Sequence, residues 1–346
     1  MRAILVGRYG PPEVMEWKTA PDPQPGTGQV LVRVRAVGIN FAELLQRMGL
    51  YPGTPKPPFI PGLEISGVVE RIVPAQPPAS PDSTLRPGDR VVALASFGAY
   101  AELVAVPAAT VFRLPEGISF ADAAAIPVNY VTAYHSMFHM GNPQPGDRIL
   151  IHGAAGGVGI AAVQLARTRS LVIFGTAGPS KQDFLRRIGV DHPIDYTKDD
   201  FVDVVRRAAP DGIELVMDPV GGKSFSGSAK CLGPGGRLVV YGFSTAAGPE
   251  GKRSLWRGAR ALVQMPRFNP LTLMRNNLAV IGVHLGRMAG REALLRRQLE
   301  EIFRMYASGK VKPVVGKTFP IEQASEAHRY IHSRQNIGKV VLTVSE

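Results

Sequence analysis

Arg148-Ile-Leu-Ile-His-Gly-Ala-Ala-Gly-Gly-Val-Gly-Ile-Ala-Ala-Val-Gln-Leu-Ala-Arg167 runs from a short apolar stretch through a glycine-rich turn into an Ala/Leu-rich stretch. Ile149 to Ile151 have the character of a strand buried on both faces. Ile160 to Ala166 are helix formers uninterrupted by Gly or Pro. The turn between them, Ala154-Ala155-Gly156-Gly157-Val158-Gly159, fits the dinucleotide fingerprint, with Ala154 where the first glycine commonly stands. Gly156 lets the backbone approach a pyrophosphate, Gly159 lets the helix pack closely on the strand, and the helix N-terminus offers free N–H groups to negative charge. A tight turn without a ligand would use glycine too; the strand-turn-helix context favours a dinucleotide.

Such a unit places a second strand after the helix and a cofactor-reading group at its end. Leu171 to Gly175 supplies the strand. Where an NAD-preferring chain commonly carries Asp or Glu, the sequence is Thr176-Ala-Gly-Pro-Ser-Lys181. Lys181 can reach a 2′-phosphate as a point charge, and Ser180 can add a hydroxyl at the N-cap of the next helix. NADPH is favoured, NADH stays open, and Lys181 also reads as a solvated surface lysine.

With 346 residues the chain is long enough for two domains with full cores. Its one cysteine, Cys231, excludes an intrachain disulfide and a thiolate metal cluster and suits a reducing compartment. No run approaches the roughly 20 apolar residues of a membrane span, and Met1 to Gly7 are too few for a secretory signal, so a cytoplasmic protein is expected. A formal net charge of +12 attracts polyanions, whether nucleic acid, acidic membrane or a phosphorylated small molecule, and serves solubility equally.

The first 127 residues read as short β runs: Val30-Leu-Val-Arg-Val-Arg-Ala-Val, Gly67-Val-Val-Glu-Arg-Ile-Val and Gly88-Asp-Arg-Val-Val-Ala-Leu. Between the first two, Asn40 can cap a short helix that continues to Gly49. Pro74 to Ser83 is a proline-rich loop. Helical character begins at Phe120, with Ala121 to Ala125 and then Val128 to Met140 ending at Gly141. Beyond this seam, strands expected near 149–152, 171–175, 193–195, 213–217, 236–241 and 279–283 predict a doubly wound six-stranded parallel sheet. Ala246 to Asn277 breaks the rhythm with Lys252, Arg253, Trp256, Arg257, Arg260, Arg267 and Arg275 against the single acid Glu250. Its Leu255, Ala259, Leu262 and Val263 lie at helical spacing. A helix over 290–308, a strand near Val314, a helix from Ile321 to Ser333 and a closing strand, Gly338-Lys-Val-Val-Leu-Thr-Val, end the chain. That strand is expected to return to the first domain.

Several spaced stretches together resemble the medium-chain dehydrogenase/reductases, and within them the zinc-free quinone oxidoreductase group and its VAT-1-like members. They are Gly38-Ile-Asn40-Phe-Ala with Gly49-Leu-Tyr51, Pro61-Gly62 before Gly67, Leu85-Arg-Pro-Gly88-Asp89, Val128-Asn129-Tyr130-Val-Thr132 and the glycine loop. Further on come Gly189 to Tyr196, Val216-Met-Asp218 to Gly222, Tyr241-Gly242-Phe243, Gly282-Val-His284-Leu-Gly286 and Asn336-Ile-Gly338-Lys. The resemblance runs almost the full chain. It implies an α/β protein with a GroES-like β-rich catalytic domain, residues 1–127 and 287–346, and a Rossmann domain, residues 128–286. It also implies a homodimer formed through an edge of the Rossmann sheet. Cofactor contacts implied by it are Thr132, Ala155, Gly156, Gly157, Val158, Gly159, Gly178, Lys181, Tyr196, Gly242, Phe243, His284, Leu285 and Asn336.

In the zinc alcohol dehydrogenases of that superfamily, Asn40 stands roughly where a ligand cysteine would be and Leu63 where a ligand histidine follows Pro-Gly. Neither can ligate zinc here, Glu64 alone is not a site, and His135 with His139 reads as surface or packing. No metal is expected. Without a Lewis acid, a nicotinamide can deliver hydride to an already electrophilic carbon: a quinone, an enone or an enoyl thioester such as an enoyl-CoA. Asn40 and Tyr51 match cleft positions of the family. Asn40 could hold the nicotinamide or the substrate carbonyl, and Tyr51 could donate to the oxyanion or supply the proton. Asn40 also reads as the helix cap and Tyr51 as an aromatic packed under a proline-rich loop; Glu43 is not expected to act directly as an acid.

The leading expectation is an NADPH-preferring, zinc-independent reductase of a small unsaturated carbonyl compound, an acyl-CoA or a quinone. The basic 246–277 segment would suit a substrate bearing phosphates. The alternative is a dinucleotide-fold binding protein that acts on anionic lipid surfaces or RNA without turnover. No nucleic-acid motif is present, so no stable nucleic-acid or transmembrane association is expected.

Overall fold

In the computed structural model, which describes residues 1–75, 85–247, 263–288 and 290–345, the strand Arg148–Ile151 buries Ile149, Leu150 and Ile151 completely. It is interior to a six-stranded sheet. The order across the sheet is His192–Asp195, Val172–Ala177, Arg148–Ile151, Ile213–Asp218, Leu232–Val240 and Ala279–Gly282, and every neighbouring pair is parallel. The chain winds outward from Arg148–Ile151 to one edge and restarts on its other side, which opens a crevice at the carboxyl ends of the central strands. The glycine turn leaves the sheet at that crevice. All six expected strands are present. The fifth begins at Leu232 rather than near 236, because Leu232 already pairs with Ile213 ahead of a register shift.

Side chains alternate between the two faces. Ile149, Ile151, Leu215, Met217 and Val239 join one core cluster with Ala162, Leu165 and Ala166 of the helix Gly157–Thr168 and with Leu295, Leu299 and Ile302 of the helix Glu292–Ala307. Leu150, Phe174, Val216 and Leu238 join a second cluster with Val205 and Cys231 from helices on the opposite face. The expected helix over 128–140 divides into an α-helix, Pro127–Tyr134, and a π-helical stretch, His135–Gly141. A Cβ on Gly141 would lie 2.9 Å from the Ser136 carbonyl oxygen, so the wider turn ends on a residue with no side chain.

The other large sheet has seven strands. Val315–Pro320, Lys339–Thr343, Gln29–Ile39, Glu64–Val73, Arg90–Leu94 and Val111–Arg113 follow in order, with Leu103–Pro107 added on Gln29–Ile39. The closing strand pairs antiparallel with Gln29–Ile39, Val340 opposite Ile39. Most of the basic connection, including Lys252, Arg253, Leu255, Trp256, Arg257, Ala259, Arg260 and Leu262, and most of the proline-rich stretch after Pro74 lie outside the described residues. Among the described residues no helix is long and apolar enough to cross a membrane.

Candidate functional site

The glycine turn is tight for reasons visible atom by atom. Gly153 takes φ +65°, so the left-handed position falls on Gly153 and not on Ala154, the residue that occupies the first-glycine place. A Cβ on Gly159 would lie 2.2 Å from the Gly153 carbonyl oxygen, which makes this the glycine that lets helix and turn touch. A Cβ on Gly156 would meet only the Gly153 oxygen, at 3.3 Å, so its side of the turn is open. Gly156 is the N-cap of Gly157–Thr168, and the first N–H groups of that helix, from Gly157, Val158 and Gly159, have no partners within it. These backbone groups fit a dinucleotide pyrophosphate. Ala155 is spoken for at its carbonyl, which accepts from the Gly338 N–H at 2.9 Å.

Beneath the turn a buried polar cluster holds its ends. His152 lies 3.2 Å from Thr176 through Nδ1 and 3.0 Å from the Ser228 hydroxyl through Nε2. Ser224 and Ser228 both donate to Asp218 Oδ2, at 2.7 and 2.6 Å. Burial holds the His152 imidazole below its usual range, and nearby Asp218 opposes the shift.

A second group forms at the end of Val172–Ala177. Lys181 Nζ donates to the Asn336 carbonyl at 2.6 Å, and a Cβ on Gly178 would lie 3.8 Å from the Tyr196 hydroxyl. Burial and, secondarily, the charge of Arg334 hold Lys181 below the usual lysine range. Arg334 is a second cation here that sequence reasoning did not single out; it takes φ +56° just after the helix Ala324–His332. Ser180 is not the expected N-cap. Pro179 opens a 3-10 turn at Pro179–Lys181, capped by Gly178, and the helix that follows, Gln182–Arg187, has Lys181 at its N-cap.

Beyond the edge strand Ala279–Gly282, His284 and Tyr51 face each other with ring centroids 5.4 Å apart. Tyr51 is half-buried, and its hydroxyl makes no hydrogen bond among the described residues. Burial raises its pKa, the charge of Glu43 adds to this, and Arg287 opposes it. Leu285 packs on the core beside the parallel sheet. Phe243 lies against Gly221 and joins Leu45, Met48, Leu50, Tyr51 and Ala246 in an apolar cluster, while a Cβ on Gly242 would meet the Pro219 carbonyl at 2.9 Å. Thr132 is buried one helical turn after Asn129.

Asn40 is placed differently from the free cleft amide expected of it. It is buried at the N-cap position of Phe41–Arg47, and its backbone N–H donates to Glu43 Oε2 at 3.0 Å. Its Nδ2 donates to Glu64 Oε1 at 2.8 Å and Glu43 Oε1 at 3.3 Å, and its Oδ1 accepts from Lys339 Nζ at 2.5 Å. Lys339 also donates to Glu64 Oε1 at 2.6 Å and to Asn129 Oδ1 at 3.4 Å; Glu64 Oε2 accepts from the Val128 N–H at 2.8 Å. Asn129 in turn packs under Gly157, where a Cβ would lie 2.4 Å from its Nδ2. A buried polar chain thus runs from Glu43 to the glycine loop. Burial first, and Glu64 second, push the Glu43 carboxyl up to about 7, against the charge of Lys339 and the hydrogen bonds it accepts. The one visible signal for Lys339 was a lysine inside an apolar closing strand.

A zinc ion does not fit this site. Leu63 offers no donor, and Asn40 and Glu64 are both engaged by Lys339. Among the described residues no group of three His, Cys, Asp or Glu side chains is arranged to hold a metal ion.

The two folds and their glycine-lined crevice define a two-domain, dinucleotide-fold protein, and sequence comparison places it: the chain belongs to the medium-chain dehydrogenase/reductase family, with the VAT-1 homologues and quinone oxidoreductases. Residues 26–116 match the alcohol dehydrogenase GroES-like domain and residues 188–342 the zinc-binding dehydrogenase domain. The chain is 40% identical to the rat synaptic vesicle membrane protein VAT-1 homolog, over 99% of its own length and 84% of that protein. It is similar to the crystal structure of the human VAT-1 homolog-like protein, with a TM-score of 0.85 and 32% identity over 100% and 98% of the two chains. It is also similar to the quinone oxidoreductase of Thermus thermophilus, solved alone and with NADPH, with a TM-score of 0.80 and 34% identity over 99% and 100%.

Proposed function

We propose that the protein is an NADPH-preferring, zinc-independent reductase of activated carbon–carbon double bonds or quinones. The observation that carries this reading is the Tyr51 hydroxyl, a donor with no partner among the described residues, held against His284, which follows the edge strand of the sheet that carries the glycine turn. NADPH, when bound, supplies a hydride to an electrophilic carbon. Gly156 to Gly159 hold its pyrophosphate through backbone N–H groups, with Ala155 shaping the turn. Lys181, with Gly178, Tyr196, Arg334 and Asn336 around it, reads the 2′-phosphate. Thr132, Gly242, Phe243 and the 284–285 backbone line the nicotinamide end.

Tyr51 donates its hydrogen bond to the conjugated carbonyl oxygen as charge develops there, an interaction stronger in the transition state than in the ground state. Asn40 acts by position: its amide is consumed by Glu43, Glu64 and Lys339, and it fixes the start of the helix that leads to Tyr51. The fit to NADP agrees with NADPH complexes of similar proteins. The test is NADPH and NADH oxidation with an enone, an enoyl-CoA and a quinone offered in parallel. Turnover with any of them supports the reading, and NADPH binding without turnover on all three contradicts it. The lipid- or RNA-binding alternative depends on the basic connection, most of which is outside the described residues.

A homodimer through the sheet edge and a cytoplasmic location belong to the same proposal. Among the described residues Ala279–Gly282 pairs on one side only, its side chains are only partly buried, and Leu271 and Met274 shortly before it are 69% and 75% exposed. Light scattering of the purified protein tests the dimer.

A further inference from the structure

We infer that the cleft selects an acidic substrate, an unsaturated carbonyl compound with a carboxylate or phosphate close to its reacting carbonyl, and that Arg287 binds that group; this rests on the reductase reading above. Arg287 ends the short turn Leu285–Arg287 that follows His284. Its Nη2 lies 3.9 Å from the place a Cβ would take on Gly53, two residues past Tyr51, so the side chain reaches the turn that carries Tyr51. The preceding residue faces Tyr51: a Cβ on Gly286 would lie 3.5 Å from the Tyr51 hydroxyl.

Arg287 is exposed and has no ion pair among the described residues. The carboxylate that acts with it on Tyr51, Glu43, is fully buried and accepts from the Asn40 and Leu63 N–H groups. An exposed guanidinium with no carboxylate paired to it among the described residues draws anions in, and its planar fork matches carboxylate and phosphate oxygens in pairs. The distance matters as much as the charge. Arg287 reaches the turn that carries Tyr51 and its charge acts on the Tyr51 hydroxyl, so with Tyr51 at the reacting carbonyl the group that Arg287 holds belongs to the same end of the substrate. The phosphates of a CoA ester, at the far end of the pantetheine arm, fall beyond it. A short unsaturated keto acid fits where an acyl-CoA does not use this residue.

The experiment compares an unsaturated keto acid with its methyl ester as NADPH oxidants, in wild type, Arg287→Ala, Arg287→Lys and Arg287→Glu. The expected result is a kcat/KM ratio of acid to ester that favours the acid in wild type and falls roughly tenfold in Arg287→Ala, mainly through KM. Arg287→Lys retains part of the preference, and Arg287→Glu inverts it. An acid-to-ester ratio equal in wild type and Arg287→Ala overturns this inference alone, leaving the reductase reading intact. No NADPH consumption with either compound, in protein that turns over an enone, an enoyl-CoA or a quinone, likewise overturns this inference alone; no consumption with any of the five overturns the reductase reading with it.

Discussion

Lys339 Nζ lies 2.6 Å from Glu64 Oε1, and both side chains are out of solvent. The pair ties the closing strand to Glu64–Val73, and through Asn129 it reaches the underside of Gly157 at the start of the glycine-loop helix. Removing the ammonium leaves Glu64 and Glu43 buried together without a cation. Breaking such a pair costs about 3–5 kcal/mol, because the remaining charge stays buried and unpaired. Lys339→Met is therefore expected to lose stability on that scale, and the double variant Lys339→Met with Glu64→Gln to recover part of it. Urea unfolding of the four proteins in a double-mutant cycle measures the coupling; additive losses would show that the pair does not act as one.

Glu43 gives stability a pH dependence of a defined sign. Its carboxyl titrates near 7 in the folded protein against an ordinary value of 4.5, so between those values the folded state binds more protons than the unfolded state. The stabilisation is complete below about pH 4.5 and is lost as the pH rises through 7. His332, which burial pushes from 6.5 down to about 4, slopes the other way over much of the same range. Glu43→Gln isolates the first effect: its stability relative to wild type should rise as the pH passes from 4.5 to above 7. Parallel stability curves for the two proteins would contradict this.

The Lys181 and Arg334 cations are expected to set the cofactor preference. Lys181→Ala and Arg334→Ala should each lower the ratio of NADPH to NADH affinity by about tenfold, the scale of one charge-assisted hydrogen bond. Fluorescence titration with both cofactors reads the ratio. A ratio unmoved by either change would separate this corner of the molecule from the 2′-phosphate.

Tyr51→Phe removes one hydroxyl and little volume. If the hydroxyl stabilises charge on the carbonyl oxygen, kcat falls about 100-fold, as for loss of an oxyanion donor, while NADPH affinity stays within a factor of about two. A loss confined to KM would instead give Tyr51 a binding role.

What the amino-acid sequence disclosed divides along the distance over which each feature is decided. The strand, turn and helix around Gly156 to Gly159 were legible because adjacent residues determine them, and the apolar runs marked all six parallel strands. Even there the left-handed residue is Gly153, since the turn begins one residue earlier than the motif suggests. The chain from Glu43 to Asn129 was not legible. Lys339 is 275 residues from Glu64 and 210 from Asn129, and only the return of the closing strand to Gln29–Ile39 brings them together. Asn40 matched a cleft position and a helix cap at once, and its amide is spent within the buried chain. Arg334 and Arg287 stand in short turns where no periodicity distinguishes them from other surface arginines.

The most direct test of the reductase account follows the hydrogen itself. NADPH deuterated at the transferring position of its nicotinamide is incubated with metal-stripped protein and an enone, and the product is examined by mass spectrometry and NMR. The account predicts a saturated ketone with one deuterium on the β-carbon and undiminished yield after metal removal. Recovery of unreduced enone, or reduction that returns only when zinc is added, would contradict it.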